Sequence, residues 1–368
     1  MKIAVLSSHT PSLFWFRMDM MLSFKNLGHE VVAIGNEPYD KWADKFSEKG
    51  IKYVAADISR NGTNPLKDLK TLKSLKAILK EEKPDKIFTY QAKTVIYGSI
   101  AANKLGITEV YPLIAGIGSV FLSDDFKSKI IRFILKTEYR YAMRKCPNIF
   151  FQNNDDIKVF TDNKIIKKEK TVILNGSGVN LEKFTQKPLP NGTAFLCISR
   201  LIKDKGVYEY LQAARIVKEK YNDARFLLVG PYDSNPSALK PEELQPYIDD
   251  GIIEYFGEAS DVRPYLEMCN VFVLPSYREG TPKTVLEAMA TGRAVITTDA
   301  TGCRETVVDG ENGYLVPVKD VDALSGAMVD LIENPDKIPQ MAENGLQMVK
   351  EKFDVNIVNN KINSTMRL

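Results

Sequence analysis

The chain has 368 residues, which is enough for two domains of ordinary size. Its composition, 44% hydrophobic and 26% charged, is that of a globular protein and excludes a disordered, collagen-like or coiled-coil chain. The net charge is +3, but residues 1–180 carry +10 (29 Lys and Arg, 19 Asp and Glu) and residues 181–368 carry −7 (21 and 28). The basic half is therefore expected to face an anionic partner: nucleic acid, a membrane surface or a phosphorylated substrate.

No apolar run approaches the roughly 20 residues that a membrane-spanning helix needs, and the strand-like start has no signal-peptide core. The four cysteines are too widely spaced for a metal or redox pair, which predicts reduced cytosolic thiols; they are Cys146, Cys197, Cys269 and Cys303. With only two histidines, a His-rich metal site is excluded.

Short apolar runs alternate with amphipathic stretches along the first half of the chain. Strands are predicted at Lys2–Ser7, Val31–Ile34, Lys86–Thr89 and Ile149–Gln152, and helices at Phe16–Leu27, Pro65–Glu82 and Thr94–Leu105. The pattern restarts after residue 190. Strands are then predicted at Ala194–Ser199, Arg225–Val229, Ile252–Tyr255, Val271–Leu274 and Ala294–Thr297, and helices at Tyr208–Lys220, Val262–Met268 and Lys283–Ala290.

This alternation predicts an α/β fold of parallel sheets with helices on both faces. Two successive runs imply two doubly wound, Rossmann-like domains facing across a cleft: residues 1–180 and 181–350, joined within Asn175–Asn191. Residues 351–368 are expected to form a helical tail that can cross back to the N-terminal domain. Ligands of such sheets bind beyond the carboxyl ends of the strands, so the loops there should carry the function.

The segment Pro275–Met289 is the most informative. A predicted strand leads through a loop with Gly280 and Pro282 into a helix, whose first N–H groups can bind an anion with help from the helix dipole. Those N–H groups belong to Lys283, Thr284 and Val285. A solvated helix start, with acids that favour its dipole, explains the same residues, and the local pattern alone does not decide.

Two carboxylates flank this helix start, Glu279 before it and Glu287 about one turn inside it. Carboxylates accept hydrogen bonds from paired hydroxyls, which suits a ligand that carries sugar hydroxyls as well as phosphate.

The segment resembles the Glu-x7-Glu signature of the retaining GT-B glycosyltransferases of family 4. Ser199–Gly206 is similar to the family's Arg-x4-Lys-Gly element, and Asn175–Phe184 is similar to its interdomain segment. Gly302–Glu305 and Asp309–Gly313 resemble two later loops. The matches occur in the family's order along nearly the whole chain.

N-terminal details narrow the resemblance. Phe16–Met18, Ser59-Arg60 before Asn64-Pro65, and Gly116–Ser119 resemble transferases that extend polyprenyl-diphosphate-linked sugars for surface polysaccharide or protein glycan. Among these, the chain resembles the bacillosaminyl-diphospho-undecaprenol α-1,3-N-acetylgalactosaminyltransferase type.

The resemblance implies a role for each matching residue. Arg200 and Lys205 would hold the donor diphosphate and neutralise the charge that develops on the leaving UDP. Glu279 would hold the donor sugar, so these three are the implied catalytic residues. Glu287 would hold the ribose. The cradle for the diphosphate would be Gly280, Thr281, Pro282, Lys283, Thr284 and Val285. The acceptor would meet His9, Phe16, Arg17, Lys93, Gly118 and Ser119.

Two features depart from the family pattern. Many members place a His in an N-terminal loop near the reaction centre, but Tyr90–Thr94 and Ile114–Ser119 contain none, so Lys93, Ser119 or the backbone alone would take its place. The loop after the first strand, Ser7–Phe16, lacks the usual Gly-Gly pair. It is bulky and aromatic instead, and is expected to shape the acceptor site.

The resemblance implies neither a cofactor nor a metal, since GT-B transferases use helix dipoles and cations. The one Asp-x-Asp sequence, at Asp320–Asp322, is predicted to cap a helix instead. The basic amphipathic stretch 122–146 fits either a helix packed on its own sheet with a solvated basic face or a helix on an anionic membrane surface. The +10 charge of this half and the lipid-linked acceptor that the resemblance implies favour the membrane surface, with the protein cytoplasmic and peripheral on the inner face of the cell membrane. Nucleic acid is disfavoured because no RNA-binding or groove-reading motif is present.

The sequence thus predicts a retaining transferase that moves a sugar, an N-acetylhexosamine, from a UDP-sugar to an undecaprenyl-diphosphate-linked saccharide. A UDP-N-acetylglucosamine 2-epimerase of the same fold and a non-catalytic sugar-nucleotide-binding protein are the alternatives. A glycoside hydrolase is disfavoured, because the helix dipole should keep both Glu279 and Glu287 ionised and leave no proton donor.

Overall fold

The structure, a computed structural model, describes residues 1–59, 62, 64–117, 121, 126–233, 235 and 237–368. It divides into two compact units, Met1–Ser177 together with Val358–Leu368, and Gly178–Ile357. The division after Ser177 lies within the segment Asn175–Asn191, three residues before the domain boundary that the sequence suggested. The residues that join the first unit from the far end of the chain begin at Val358, within the stretch expected to be a tail.

The first unit is built on a parallel sheet that has seven strands among the described residues, in the order β3-β2-β1-β4-β5-β6-β7. These strands are β1 (Lys2–Ser7), β2 (Glu30–Gly35), β3 (Lys52–Ala55), β4 (Lys86–Tyr90), β5 (Val110–Ile114), β6 (Ile149–Phe151) and β7 (Thr171–Ile173). The register places Val5 of β1 between Ala33 of β2 and Phe88 of β4.

Helices cover both faces of this sheet. They are α1 (Thr10–Asn26), α2 (Tyr39–Ser47), α3 (Pro65–Glu82), a π-helical turn (Thr94–Gly98) that continues into α4 (Ser99–Lys104), α5 (Phe126–Met143) and α6 (Asn154–Asp162). Neighbouring residues of β1 alternate between two apolar cores, with Ala4 and Leu6 in one and Ile3 and Val5 in the other. A parallel strand buried on both faces reads as a continuous apolar run, which is why β1 was predicted correctly. The bounds of α3 were also predicted correctly.

Helix α1 begins at Thr10, six residues before the predicted Phe16, so the expected aromatic loop Ser7–Phe16 is wrong. Pro11 lies in the first turn, where its missing N–H costs nothing, and the helix leaves only Ser8 and His9 between itself and β1. The apolar periodicity starts late because the first turn buries hydroxyl groups instead. Thr10 Oγ1 lies 3.1 Å from the Tyr53 hydroxyl.

The last helix, α13 (Val355–Met366), completes the apolar core of the first unit. Ile362 and Met366 are fully buried there. Asn359 Nδ2 donates to the Asp19 carbonyl of α1 at 3.2 Å, and Lys86 Nζ of β4 donates to the Met366 carbonyl at 2.5 Å.

The second unit repeats the plan with a parallel sheet in the order β10-β9-β8-β11-β12-β13. The strands are β8 (Ala194–Ile198), β9 (Arg225–Val229), β10 (Glu254–Tyr255), β11 (Val271–Leu274), β12 (Ala294–Thr298) and β13 (Gly313–Val316). The helices are α7 (Val207–Lys220), α8 (Pro241–Asp249), α9 (Arg263–Glu267), α10 (Lys283–Ala290), α11 (Val321–Glu333) and α12 (Lys337–Met348). Asp320 caps α11 by accepting from the Ala323 N–H at 2.8 Å, as predicted.

Each sheet has one point where the chain order of its strands reverses. In the first unit this switch point lies between β1 and β4, and in the second it lies between β8 and β11. Loops that leave neighbouring strands in opposite directions open a crevice there, which is where ligands of doubly wound sheets bind.

All four cysteines are free and buried, so the prediction that they form no pair is confirmed. Burial raises the pKa of each thiol to about 12, which keeps it protonated and unreactive. Among the helices of the described residues, none has both the length and the apolar character needed to cross a membrane.

Candidate functional site

The switch point of the second unit is formed by the loops after β8 and β11, and backbone contacts bind them to each other. The Tyr277 N–H donates to the Asp204 carbonyl at 2.9 Å, and the Ser276 hydroxyl donates to the same oxygen at 3.0 Å. Gly206 has a φ of 71°, and a Cβ there would lie 2.0 Å from the Pro275 carbonyl oxygen. Only glycine fits this position, because any side chain would push the two loops apart.

This arrangement brings Lys205 and Glu279 together. Lys205 Nζ donates to Glu279 Oε1, and the two side chains are 21% and 14% exposed. The sequence assigned one to the diphosphate and the other to the sugar, but did not predict that they pair. The pair joins residues 74 positions apart, so its charges are held at one place before any ligand arrives.

A third loop, after β12, contacts the backbone of Glu279. The Glu279 N–H donates to the Thr301 carbonyl at 2.9 Å. Gly302, with a φ of 85°, lies so close that a Cβ would come within 2.3 Å of the Glu279 carbonyl oxygen. The loop Gly302–Glu305 was identified only by resemblance, and its physical role is to fix the backbone of the site.

Arg200, the other predicted cation, lies in the same loop as Lys205 and is paired differently. Its Nη1 donates to Asp233 Oδ2 at 2.9 Å, and its side chain is 48% exposed. Asp233 was missed by the sequence analysis. Its position shortly after β9 at the same edge of the sheet is the signal that could have found it.

The start of α10 differs in two details from the predicted anion cradle. Pro282 is the N-cap residue and so lies one position before the helix, and it supplies no side-chain cap. The Val285 N–H donates to the Pro282 carbonyl at 3.2 Å, so this N–H is used within the first turn. Lys283 and Thr284 remain at the first two helical positions, half-buried beside half-buried Gly280 and Thr281.

Glu287 lies one turn into α10 and is buried, with Lys283 Nζ 3.8 Å from its Oε1. Burial raises the pKa of Glu287 to about 7, an effect that Lys283 opposes and Asp261 reinforces. The expectation that Glu287 stays ionised is therefore wrong, because burial favours the protonated form of this carboxyl. Near neutral pH this carboxyl exists in both protonation states.

The predicted acceptor residues belong to the first unit, and the structure describes four of the six. His9 is the N-cap residue of α1 and Phe16 is an exposed side chain of that helix. Arg17 is buried, with its guanidinium carbon 5.0 Å from the centre of the Tyr90 ring. Lys93 forms a largely buried ion pair with Asp68 of α3. The remaining two, Gly118 and Ser119, lie outside the described residues.

A metal site is not formed by the described part of the chain, where no group of three or more His, Cys, Asp or Glu side chains is placed to hold an ion. The charged groups of the second switch point include two cations, Arg200 and Lys205, and two carboxylates, Glu279 and Glu287. Such a set can bind a diphosphate and hydroxyl groups together.

Two family models match the sequence, one for each half. Residues 2–153 match a model described as "Glycosyl transferase 4-like", and residues 192–334 match one described as "Glycosyl transferases group 1". The second match spans the loops that carry Arg200, Lys205, Glu279 and Glu287.

Two curated relatives extend the match. The chain is 30% identical to the N,N'-diacetylbacillosaminyl-diphospho-undecaprenol α-1,3-N-acetylgalactosaminyltransferase of Campylobacter jejuni, over 97% of this chain and 96% of that one. It is 27% identical to the UDP-Gal:α-D-GlcNAc-diphosphoundecaprenol α-1,3-galactosyltransferase of Escherichia coli, over 73% of this chain and 72% of that one. These relatives favour sugar transfer over the epimerase and the non-catalytic binding protein.

A solved structure gives the same result for the fold. HepE of Anabaena, in complex with UDP, superposes with a TM-score of 0.79 at 17% identity, covering 100% of both chains. The predicted fold and the predicted enzyme class are therefore confirmed: the chain belongs to glycosyltransferase family 4, has the GT-B fold and is a glycosyltransferase.

Proposed function

We propose that this enzyme transfers a sugar, an N-acetylhexosamine, from a UDP-sugar to an undecaprenyl-diphosphate-linked saccharide in the assembly of a surface polysaccharide or glycan. The observation that carries the proposal is the Lys205–Glu279 pair at the switch point of the second unit. The printed names of the two curated relatives support it, since both act on diphospho-undecaprenol-linked sugars and one uses UDP-galactose.

The donor diphosphate binds by exchange of ionic partners. Before binding, Lys205 is held by Glu279 and Arg200 by Asp233. The diphosphate takes both cations, and the N–H groups at the start of α10 complete its shell. Glu279 then becomes available for the hydroxyls of the donor sugar. The same ionic exchange therefore exposes the sugar-binding carboxylate only when a diphosphate is present.

Glu287 holds the ribose through its hydroxyls. A carboxylate accepts hydrogen bonds from two neighbouring hydroxyls only when it is ionised. Burial places its pKa at about 7, so donor binding in this proposal draws on the ionised half of the population.

Transfer with retention follows the family resemblance. The acceptor hydroxyl oxygen forms a bond to C1 of the sugar on the face that UDP leaves, the bond from C1 to the phosphate oxygen breaks, and the hydroxyl proton passes to that oxygen. No side chain has to act as a strong base. Lys205 and Arg200 stabilise the negative charge that develops on UDP, an electrostatic effect that is often the largest in such reactions. We expect no metal requirement, so activity should persist in excess EDTA.

Helix α5 supplies the membrane contact in this proposal. Phe126 and Phe133 are 78% and 72% exposed, and Ile130 and Ile134 beside them are about half exposed. Cations are interspersed along the helix and surround a cavity of about 560 Å³ near its end; those around the cavity are Arg140, Arg144, Lys164, Lys167 and Lys170. Apolar side chains among cations fit an anionic bilayer surface.

The membrane proposal predicts binding to vesicles that contain phosphatidylglycerol and not to vesicles of phosphatidylcholine alone. Replacing Phe126 and Phe133 by Ser should weaken co-sedimentation at least tenfold, since each ring buries apolar area worth roughly 1.5–3 kcal/mol. Tyr39→Ser, at an exposed ring of α2, serves as the control. Equal binding of all three proteins would contradict the membrane role of α5.

The experiment for the proposed function is a panel of UDP-sugars with lipid-linked acceptors, read by the mass of the product. We expect UDP-N-acetylhexosamines to extend a diphosphate-linked acceptor by one N-acetylhexosamine. Incubation with the UDP-sugar alone should give no epimer. Epimer formed without acceptor, or no extension of any acceptor, would contradict the proposal.

A further inference from the structure

The first unit contains a buried positive charge that has no counter-ion among the described residues. Arg17 of α1 is 4% exposed, and its Nε is enclosed with no hydrogen-bond acceptor. Within the described residues no carboxylate pairs with its guanidinium group. The guanidinium carbon lies 5.0 Å from the centre of the Tyr90 ring. Burial lowers the pKa of Arg17, the direction expected of a cation removed from water without a compensating anion. An arginine stays protonated even so.

The second unit shows what a structural buried arginine looks like in this protein. Arg293 is fully buried, and its guanidinium donates to the carbonyls of Leu266 at 2.7 Å, Pro188 at 3.0 Å and Lys187 at 3.1 Å. The chain thus surrounds a guanidinium with acceptors where the guanidinium only supports the fold. Arg17 has no such set of acceptors among the described residues, so packing alone does not explain why a cation occupies this position.

Arg17 lies at the switch point of the first sheet. Tyr90, whose ring it contacts, is the last residue of β4, and Ser7 is the last residue of β1. Gln91 follows Tyr90 in the left-handed region, with a φ of 72°. A non-glycine residue is strained there, and such strain is typical of ligand-binding loops.

A chain of hydrogen bonds fixes the groups around this point. Ser8 Oγ donates to Gln91 Oε1 at 2.9 Å, and Gln91 Nε2 donates to Ser12 Oγ at 2.9 Å. Ser12 Oγ lies 2.9 Å from the Tyr90 hydroxyl. The ring under the Arg17 guanidinium is therefore held in place, while Gln91, which Ser12 links to the Tyr90 hydroxyl, is only half-buried. The described side chains of the crevice are thus organised in advance, and none of them supplies an anion to Arg17.

We propose that Arg17 is the group that binds the diphosphate of the lipid-linked acceptor. The inference rests on the proposed function, which supplies an acceptor with a diphosphate. A guanidinium can bind two phosphate oxygens at once, and a desolvated one gains most from doing so because its cost of burial has already been met by the fold. Arg17 is then a specificity-determining residue that separates diphosphate-linked saccharides from neutral ones.

The kinetic test compares two acceptors that carry the same saccharide, one on a polyprenyl diphosphate and one on a neutral alkyl chain. We expect the wild-type enzyme to prefer the diphosphate acceptor in kcat/KM by at least 100-fold. Arg17→Gln should reduce that ratio at least 30-fold, mainly through KM, and Arg17→Lys should restore part of it. Lys25→Gln removes a cation from the far end of α1 and should leave the ratio unchanged.

A binding test needs no turnover. The full chain is first saturated with UDP so that the second unit is occupied, and inorganic pyrophosphate is then added. Wild type should show a further rise in Tm and Arg17→Gln should show none. Inorganic phosphate in place of pyrophosphate shows whether one phosphate is sufficient, and a smaller shift is expected. An equal shift in wild type and Arg17→Gln would overturn the proposal.

The two proposals can fail separately. If the wild type extends the diphosphate acceptor and Arg17→Gln keeps the full preference, the inference about Arg17 is wrong and the proposed function stands. If no acceptor is extended but pyrophosphate binding still depends on Arg17, the site exists and the proposed function is wrong. Circular dichroism of Arg17→Gln and Arg17→Lys checks that both fold, and Arg17→Lys carries the test if Arg17→Gln does not.

Discussion

The two sheets have the same kind of switch point, but they differ in whether a described carboxylate pairs with the cation there. In the second unit, Lys205 is paired with Glu279 and Arg200 with Asp233. In the first unit, Arg17 is buried without an anion among the described residues. A paired cation must give up a partner to bind a ligand, and an unpaired one has nothing to give up.

This difference separates two ways to recognise phosphate. Exchange of partners weakens binding but couples it to a second event, which in the proposed function is the release of Glu279. A buried cation without a partner binds phosphate more strongly, but it destabilises the protein when no ligand is bound. The unpaired cation suits a ligand that is only bound, and the exchange of partners suits a ligand that also reacts.

The largest expected effect contrasts the two buried arginines. Arg293→Met should lower the free energy of unfolding by about 3–5 kcal/mol, because it leaves several buried carbonyls without a donor. Arg17→Met should raise it by about 1 kcal/mol, because it removes a desolvated charge. Urea denaturation of both variants measures this. A loss of several kcal/mol in Arg17→Met would mean that its charge is satisfied and the contrast is false.

Glu279→Gln should leave Lys205 without a carboxylate partner, as Arg17 is among the described residues of the first unit. Lys205 is then released, so UDP should bind about fivefold more tightly, while the transfer rate falls by about 10²–10³ because the sugar loses its charged partner. Calorimetry with UDP and a transfer assay by product mass test the two halves. Glu267→Gln, at an exposed pair with Lys187, is the matched control and should change neither value. Weaker UDP binding in Glu279→Gln would exclude partner exchange.

Gly302→Ala tests whether the backbone behind Glu279 must stay where it is. The new Cβ would clash with the Glu279 carbonyl, so we expect a loss of about 2–3 kcal/mol in stability together with most of the activity. Gly310→Ala shares the positive φ but meets no atom within 4 Å, so it should cost only about 1 kcal/mol and leave activity intact. Similar losses in both variants would show that backbone strain alone, and not the clash, is responsible.

The smallest effect concerns pH. With a pKa of about 7, Glu287 is largely ionised at pH 8 and about nine-tenths protonated at pH 6, so donor affinity should fall roughly tenfold between them. UDP-N-acetylglucosamine is the right probe, because it lacks the terminal phosphate whose own ionisation near pH 6 would confuse UDP. Glu287→Gln should bind weakly at both pH values. A pH dependence that survives in Glu287→Gln would assign it elsewhere.

A rise in pH changes the contribution of Glu287 to fold stability in the direction opposite to its effect on donor binding. The folded state holds the Glu287 proton up to about pH 7, whereas an unfolded Glu loses it near its ordinary value of 4.5. The contribution of this group to stability therefore declines as pH rises from about 4.5 to 7, and donor binding improves over the upper part of that range.

Local patterns predicted the parts of the fold that are determined locally. β1, α3, β11 and α10 have the bounds that their apolar periodicity and flanking Gly and Pro indicated. The start of α1 was missed because its first turn buries hydroxyls rather than apolar groups. The strand predicted at Ile252–Tyr255 is reduced to two residues, since only Glu254 and Tyr255 pair with β9.

The site residues were found by motif, but their electrostatic states were not. The Lys205–Glu279 pair, the Arg200–Asp233 pair and the solitary Arg17 depend on which loops the sheet order brings together. The raised pKa of Glu287 depends on burial, which one turn of helix does not reveal. Spacing in a sequence identifies a charged residue, and only the three-dimensional neighbourhood shows whether its charge is compensated.

The return of Val358–Leu368 to the first unit has a consequence for biosynthesis. Met366 and Ile362 belong to the core that surrounds β1, yet the ribosome makes them about 180 residues after the rest of that core. At roughly 5–20 residues per second, the early unit waits on the order of 10–40 s with an open apolar face. During that interval the exposed apolar surface favours aggregation. We expect a nonsense mutation at Val358 to destabilise the first unit, which is encoded at the beginning of the chain.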